Sequence, residues 1–236
     1  MPPLPPPLAD ALSLAVPGLA KRERTRAQLI EAAIQVFSAR GVAGASIQEI
    51  AAVAGMTAGT VYNHFRTKDE VVAEVATWLA ETLCRRIAES QTPIKQGAER
   101  MAIGNRRYIW LAEQSPAWAL LLLDVIVEVP ALLVRVGGYV LADLQLGVKQ
   151  KSFRVSSEAA AMDLIAGAVI QAMRSVAHGQ APANHGCAVA EMVLRGLGMS
   201  DAEAAEVVTR PLPAFAAMTG AAPTAKPRRK SERAKG

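Results

Sequence analysis

The sequence predicts an all-α protein, with an N-terminal three-helix helix-turn-helix domain followed by a larger helical domain. Three observations carry that expectation. The chain is 51% hydrophobic but only 4% aromatic, so Ala, Leu and Val supply the apolar load, and Ala and Leu are strong helix formers. Apolar residues recur at helical spacing between Gly and Pro breaks. Two Ser/Thr-x-x-Glu signatures, at Ser46–Glu49 and Thr67–Glu70, each mark a helix start.

The elements follow in order. Residues 24–39 form a first helix, with Ala27, Ile30, Ile34 and Phe37 on one face, closed by Gly41 and Gly44. Ser46 caps a short second helix that turns Ile47, Ile50, Ala51 and Ala54 inward. Gly55 sits at the turn, where left-handed dihedrals cost glycine little. Thr57 caps a third helix over 58–65, with Val61 and Phe65 sharing a face. Thr67 opens a long helix with Val72, Val75, Leu79 and Leu83 inward. Further helices are expected near 94–113, 116–128, 130–151, 157–179, 184–197 and 201–210, four of them starting near Pro93, Pro116, Pro130 and Pro182. The expected organisation is a disordered Pro-rich leader (1–20), a helix-turn-helix domain (21–68), a helical ligand-binding and dimerisation domain (69–210) and a flexible basic tail (211–236).

Two short helices joined by a turn are common, and the polar residues here make the pattern more specific. The third helix buries only Val61 and Phe65, leaving Thr57, Ala58, Thr60, Tyr62, Asn63 and His64 outward or sideways. Hydroxyls, an amide and an imidazole among small residues suit the major groove of double-stranded DNA, where they reach phosphates and base edges. Lys68 opposes the macrodipole of the helix it begins. A phosphate partner accounts for that position, and so does a solvated lysine.

The run 23–72 carries Ala33, Phe37, Gly41, Ile50-Ala51, Ala54-Gly55, Gly59-Thr60, Tyr62, Phe65 and Lys68 in one gapless register. It resembles the N-terminal domain of TetR-family regulators. The resemblance implies that Ser46, Thr57, Ala58, Gly59, Tyr62, Asn63, His64 and Lys68 face DNA. Ala58 departs from the Lys or Arg common at its position, and the basic stretch 21–26 is the compensating charge. The resemblance further implies a transcriptional regulator: a homodimeric repressor, released from a palindromic operator by a small inducer. An architectural, nucleoid-type DNA binder without an inducer is the alternative.

Beyond residue 90 the resemblance weakens. Helix 157–179 presents Met162, Ile165, Ala166, Val169, Met173 and Val176 on one broad apolar face. With Val193, Leu194 and Leu197 it forms the expected homodimer surface, burial within one subunit being the competing reading. Met101, Asn105 and Tyr108 share a face, and with Trp118 and Leu122 they are the candidate lining of a pocket for an apolar or amphipathic inducer. Plain core is the alternative for those five.

The net charge of +5 is uneven: residues 226–236 carry +5, residues 21–26 carry +3, and residues 27–225 carry −2. Basic flanks suit a polyanion, or simply solubility. The motifs of a P-loop, a dinucleotide fold, a serine hydrolase and a zinc protease are all missing, so no enzyme and no cofactor are expected. His185 and Cys187 are too isolated for a zinc site, and no metal is expected. Two cysteines give no disulfide framework, and no uncharged run reaches the roughly 20 residues of a membrane span. A cytoplasmic protein with no membrane partner is the expectation.

Overall fold

The computed structural model describes residues 3–11 and 20–215, and its regular structure there is entirely helical. The helices are α1 (Pro6–Ala9), α2 (Lys21–Gly44), α3 (Ile47–Val53), α4 (Ala58–Tyr62), α5 (Lys68–Ser90), α6 (Gly97–Gln114), α7 (Pro116–Glu128), α8 (Pro130–Lys149), α9 (Glu158–Ala177), α10 (His185–Gly196) and α11 (Asp201–Thr209).

The head consists of α2–α4 seated on the start of α5. Leu29, Ile30, Ala33, Ile34 and Phe37 turn one face of α2 inward. Ala27 is exposed, contrary to expectation, because α2 begins at Lys21 and its first turns run beyond the head core. The helix breaks at Gly41, where φ is 72°. Ser46 Oγ accepts from the Glu49 amide while the Glu49 carboxylate accepts from the Ser46 amide, completing the box that starts α3. Gly55 makes the turn at a φ of 66°, a region where a side chain would be strained. α4 ends at Tyr62, shorter than the periodicity implied. Phe65 lies in the following turn and is still buried beside Val61. The second box forms only in part: Thr67 Oγ1 accepts from the Glu70 amide, but the Glu70 carboxylate accepts from Arg66 N instead. The first apolar residue that α5 buries is Val71 rather than Val72.

One apolar core runs from the head into the body, joining Phe37 and Phe65 to Val75, Leu79 and Leu83 of α5, Trp118 of α7 and Met173 of α9. A second cluster gathers Leu144, Phe153, Ile165, Leu194 and Val208 at the far end. α6 is the central helix of the body, packed against α7, α8, α9 and α10. It starts at Gly97, where any Cβ would collide with the Gly147 backbone, so α6 and α8 approach closely only through glycine. α8 and α9 are long and apolar enough to cross a membrane by length and composition. Both are interrupted by charges (Arg135 and Asp143; Asp163 and Arg174), and α9 lays Ile165, Val169 and Met173 against the body.

The flanks differ from the expected leader and tail. Residues 3–11 are packed: Leu4 and Leu8, one turn apart, are buried in the main core, and Ser115 Oγ donates to the Pro3 carbonyl at 3.3 Å. Two leucines at that spacing anchor a proline-stiffened segment against α5 despite its lack of a longer period. Residues 211–215 also fold back. Arg106 donates to the Arg210 carbonyl at 2.8 Å, Arg107 donates to the Pro213 carbonyl, and the Phe215 ring lies 4.0 Å from the Arg107 guanidinium. The rest of the expected leader and tail, including the basic stretch 226–236, lies outside the described residues.

Leu8→Ala is expected to destabilise the protein by about 2–5 kcal/mol, the usual cost of emptying a leucine site. Equilibrium denaturation in urea reads it, and an unchanged midpoint would show the N-terminal anchor to be idle.

Candidate nucleic-acid interface and ligand cavity

The head places its polar residues in two groups. Thr57, Gly59, Tyr62 and Asn63 are exposed, Tyr62 at 50%, and Ala58, Thr60 and His64 are half-buried beside them. These line the outer face of α4. Thr57 Oγ1 accepts from the Thr60 amide at 3.2 Å and lies 3.0 Å from Thr60 Oγ1, which fixes both hydroxyls at the start of α4. Partial burial, then the charges of Arg22 and Arg26, hold the His64 imidazole below its ordinary pKa, so His64 is neutral at pH 7. Arg26 Nη1 donates to the His64 carbonyl at 3.4 Å, which puts the start of α2 next to the end of α4.

The second group is occupied internally. Lys68, expected to contact phosphate, donates through Nζ to the carbonyls of Val42 (3.1 Å) and Ala45 (3.3 Å). Its charge therefore answers carbonyls at the end of α2, which offsets its poor place at a helix start. Ser46 is half-buried, and its hydroxyl donates to Glu49 Oε2 at 2.9 Å; Glu49 in turn holds Arg40 at 2.7 Å. Arg26 is also committed: it pairs with Glu74 of α5 at 2.7 Å, and its guanidinium covers the Phe65 ring at 4.5 Å. These links lock α2, α4 and α5 into one body.

A cavity of about 510 Å³ opens in the body between α5, α6, α7, α8 and α9. Of the residues expected at a pocket, Met101, Asn105, Tyr108 and Leu122 border it. Trp118 does not: it is wholly buried in the main core, because α7 rolls its Leu122, Leu123 and Ile126 face toward the cavity instead. Sequence reasoning misses Ala80, Cys84, Ala88 and Gln91, which also border it. Ala80, Cys84 and Ala88 recur every four residues, so helical spacing puts them on one face of α5, the only signal the sequence offers. Met162, Ile165, Ala166, Val169 and Met173, expected at a dimer surface, instead form a cavity wall. Val193, Leu194 and Leu197 are likewise buried inside the chain. The face of α9 and α10 that is left uncovered carries Leu164, Gly167 and Met192, with Met192 70% exposed.

The cavity's polar groups are few. Cys84 Sγ and Tyr108 Oη lie 2.7 Å apart, and burial raises the pKa of both, so both stay protonated at neutral pH. Arg100 Nε donates to Asp143 Oδ1 at 2.5 Å, and Gln91 Nε2 donates to the Arg100 carbonyl at 2.8 Å. Burial raises the Asp143 carboxyl while Arg100 pulls it back. Asn105 is 3% exposed and its Nδ2 has no hydrogen-bond partner among the described residues.

Comparison with known proteins agrees with both halves. Residues 29–75 match the family profile "Bacterial regulatory proteins, tetR family", and residues 96–210 match "Tetracyclin repressor-like, C-terminal domain". The chain belongs to the TetR family. The HTH-type transcriptional regulator TtgR of Pseudomonas putida is 47% identical over 60 residues, 25% of this chain and 29% of TtgR. The regulator AcrR of Shigella flexneri is 38% identical over 53 residues, 22% of this chain and 25% of AcrR. The match thus spans less than a third of these curated relatives. The crystal structure of RolR with resorcinol superposes over 83% of this chain and 98% of RolR, with a TM-score of 0.65 and 26% identity. FadR of Bacillus subtilis, solved with stearoyl-CoA, shares the fold at 17% identity and a TM-score of 0.58, over 72% of this chain and 96% of FadR. TetR-family members are regulators rather than enzymes, in keeping with the lack of catalytic motifs.

Lys68→Ala is expected to lower the stability of the DNA-free protein by about 1–3 kcal/mol, since two carbonyls lose their donor. Tyr62→Ala, at an exposed site, stays within about 0.5 kcal/mol of wild type. Thermal unfolding of the two variants side by side checks the division of the head into internal and outward-facing groups; equal losses would refute it.

Proposed function

We propose that the protein is a homodimeric repressor that occupies a palindromic operator and leaves it when a small apolar or amphipathic ligand enters the cavity. The observation that carries this reading is the exposed polar face of α4 beside the basic start of α2, on a head clamped to a helix that also borders the cavity. Thr57, Ala58, Gly59, Thr60, Tyr62, Asn63 and His64 meet the major groove, and Lys21 and Arg22 supply charge toward the phosphates. Ser46 and Lys68 act mainly by holding that surface in shape. RolR, similar over nearly its whole length, was solved with resorcinol, which supports a small ligand in the equivalent domain. An architectural DNA binder would have no use for such a cavity.

The uncovered face of α9 and α10 is the dimer surface in this reading. Leu164 and Met192 are exposed large apolar residues in the single chain, Leu164 resting on Gly196, and Gly167, with open space above it, lets a second pair of helices come close. Ligand release works through α5. Arg26 ties the head to Glu74, and Arg135 of the cavity wall ties α8 to Glu81, two turns further along the same helix. A ligand that favours a different seating of α8 shifts the heads, provided it prefers that state by a coupling of about 1–3 kcal/mol.

Footprinting on genomic fragments selected by the protein is expected to show two protected half-sites about 34–36 Å apart or a multiple of that distance. Tyr62→Ala and Asn63→Ala weaken that specific protection more than binding to random DNA. Protection equal to wild type would remove α4 as the reading helix, and broad protection without half-sites favours the architectural role.

Met192→Glu is expected to give a folded monomer by light scattering, with loss of operator affinity, because it places a charge in the proposed interface. A folded Met192→Glu dimer relocates the interface. Val169→Glu, by contrast, is expected to unfold the body, since Val169 is buried within the subunit.

A further inference from the structure

The cavity walls discriminate by charge as well as by shape. Two arginines border the space, and each already has a carboxylate: Arg100 holds Asp143 at 2.5 Å, and Arg135 holds Glu81. Arg100 is further tied to Gln91, each side chain donating to the other's backbone carbonyl. Among the described residues an anionic ligand finds no unpaired cation on these walls, and it would bring its own unpaired charge into apolar surroundings. A cationic ligand meets the exposed Asp163 at the margin, but inside, the one carboxylate on the walls, Asp143, is already held by Arg100, and most of the remaining lining is apolar.

One polar atom inside is unsatisfied. Asn105 lies at mid-height on α6, one turn from Met101 and Tyr108, and its Nδ2 is buried without an acceptor among the described residues. A buried amide donor left unpaired is unfavourable, so whatever fills the cavity gains by offering it an oxygen. Just beyond, Gly104 leaves open space where any side chain would stand, giving room beside that amide. Tyr108 Oη and Cys84 Sγ already have each other as partners at 2.7 Å, so neither atom is orphaned as Asn105 Nδ2 is.

We propose that the cavity takes an electrically neutral, largely apolar ligand whose oxygen, a phenolic hydroxyl or a carbonyl, accepts a hydrogen bond from Asn105 Nδ2. This rests on the reading of the cavity as the ligand site. Asn105 is then the residue that selects oxygenated over plain hydrocarbon ligands, while the Arg100–Asp143 pair keeps the site neutral and excludes carboxylates.

Three probes of one skeleton test it by calorimetry on the full chain: naphthalene, 2-naphthol and 2-naphthoate. 2-Naphthol is expected to bind about ten-fold or more tightly than either of the others. Asn105→Leu brings 2-naphthol down to the affinity of naphthalene and leaves naphthalene itself unchanged; Asn105→Ala, which only deletes the amide, gives the same equalisation if the leucine variant does not fold. Equal binding of naphthalene and 2-naphthol to the wild type overturns the role of Asn105 but leaves the cavity a ligand site. Tightest binding of 2-naphthoate overturns the neutrality argument. Binding by none of the three overturns both the inference and the ligand-site reading.

Discussion

The rest of the structure depends on α5 belonging to two bodies at once. Its first turns pack Val71 and Val75 under the helix-turn-helix, and its later turns present Ala80, Cys84, Ile87 and Ala88 to the cavity. Because Val75, Leu79 and Leu83 join the cluster that also holds Phe37, Phe65 and Trp118, the apolar core is continuous from head to body. A close-packed core transmits a displacement rather than absorbing it. The small residues on the cavity side of α5 are the counterpart of that packing: bulkier ones would fill the space.

The polar residues of the head divide according to what the fold already asks of them. Lys68 closes the end of α2, Ser46 starts α3, and Arg26 bridges α2 to α5 while covering Phe65. None of the three can leave its post without loosening the geometry of α4. Tyr62 and Asn63 carry no such duty: both are exposed at the end of α4. A residue can matter for DNA binding in either way, by touching the duplex or by holding the residues that do. The two ways separate cleanly here because the internal partners are identifiable atom by atom.

Most of the helical architecture is legible in the sequence, since capping residues and prolines act locally. Pro116 and Pro130 do stand at the first positions of α7 and α8, and the Ser46 box forms as written. What is not legible depends on long-range packing. Leu4 and Leu8 form too short a pattern to distinguish an anchor from a disordered leader, and only a complementary surface on α5 and α7 decides it. Trp118 falls next to Leu122 on a helical wheel, but α7 is apolar on nearly every side, so periodicity does not say which face meets the cavity. The same ambiguity puts Val169 and Met173 on an outer surface: a helix buried on one side and lining a cavity on another reads as a single broad stripe.

The geometry of α5 also bears on how small a change at the cavity is needed. A helix of 23 residues is about 34 Å long, so a tilt of about 5° at one end moves the other by about 3 Å. A shift of that size is comparable to a hydrogen-bond length, and base-edge contacts tolerate far less. The two ion pairs at Glu74 and Glu81 are half-exposed and weak in themselves. Their contribution is geometric: they fasten α2 and α8 to one helix at points two turns apart. A cavity wall that moves with α8 therefore acts on the same rod that carries the head, and a modest preference of the ligand for one seating of that wall is sufficient leverage.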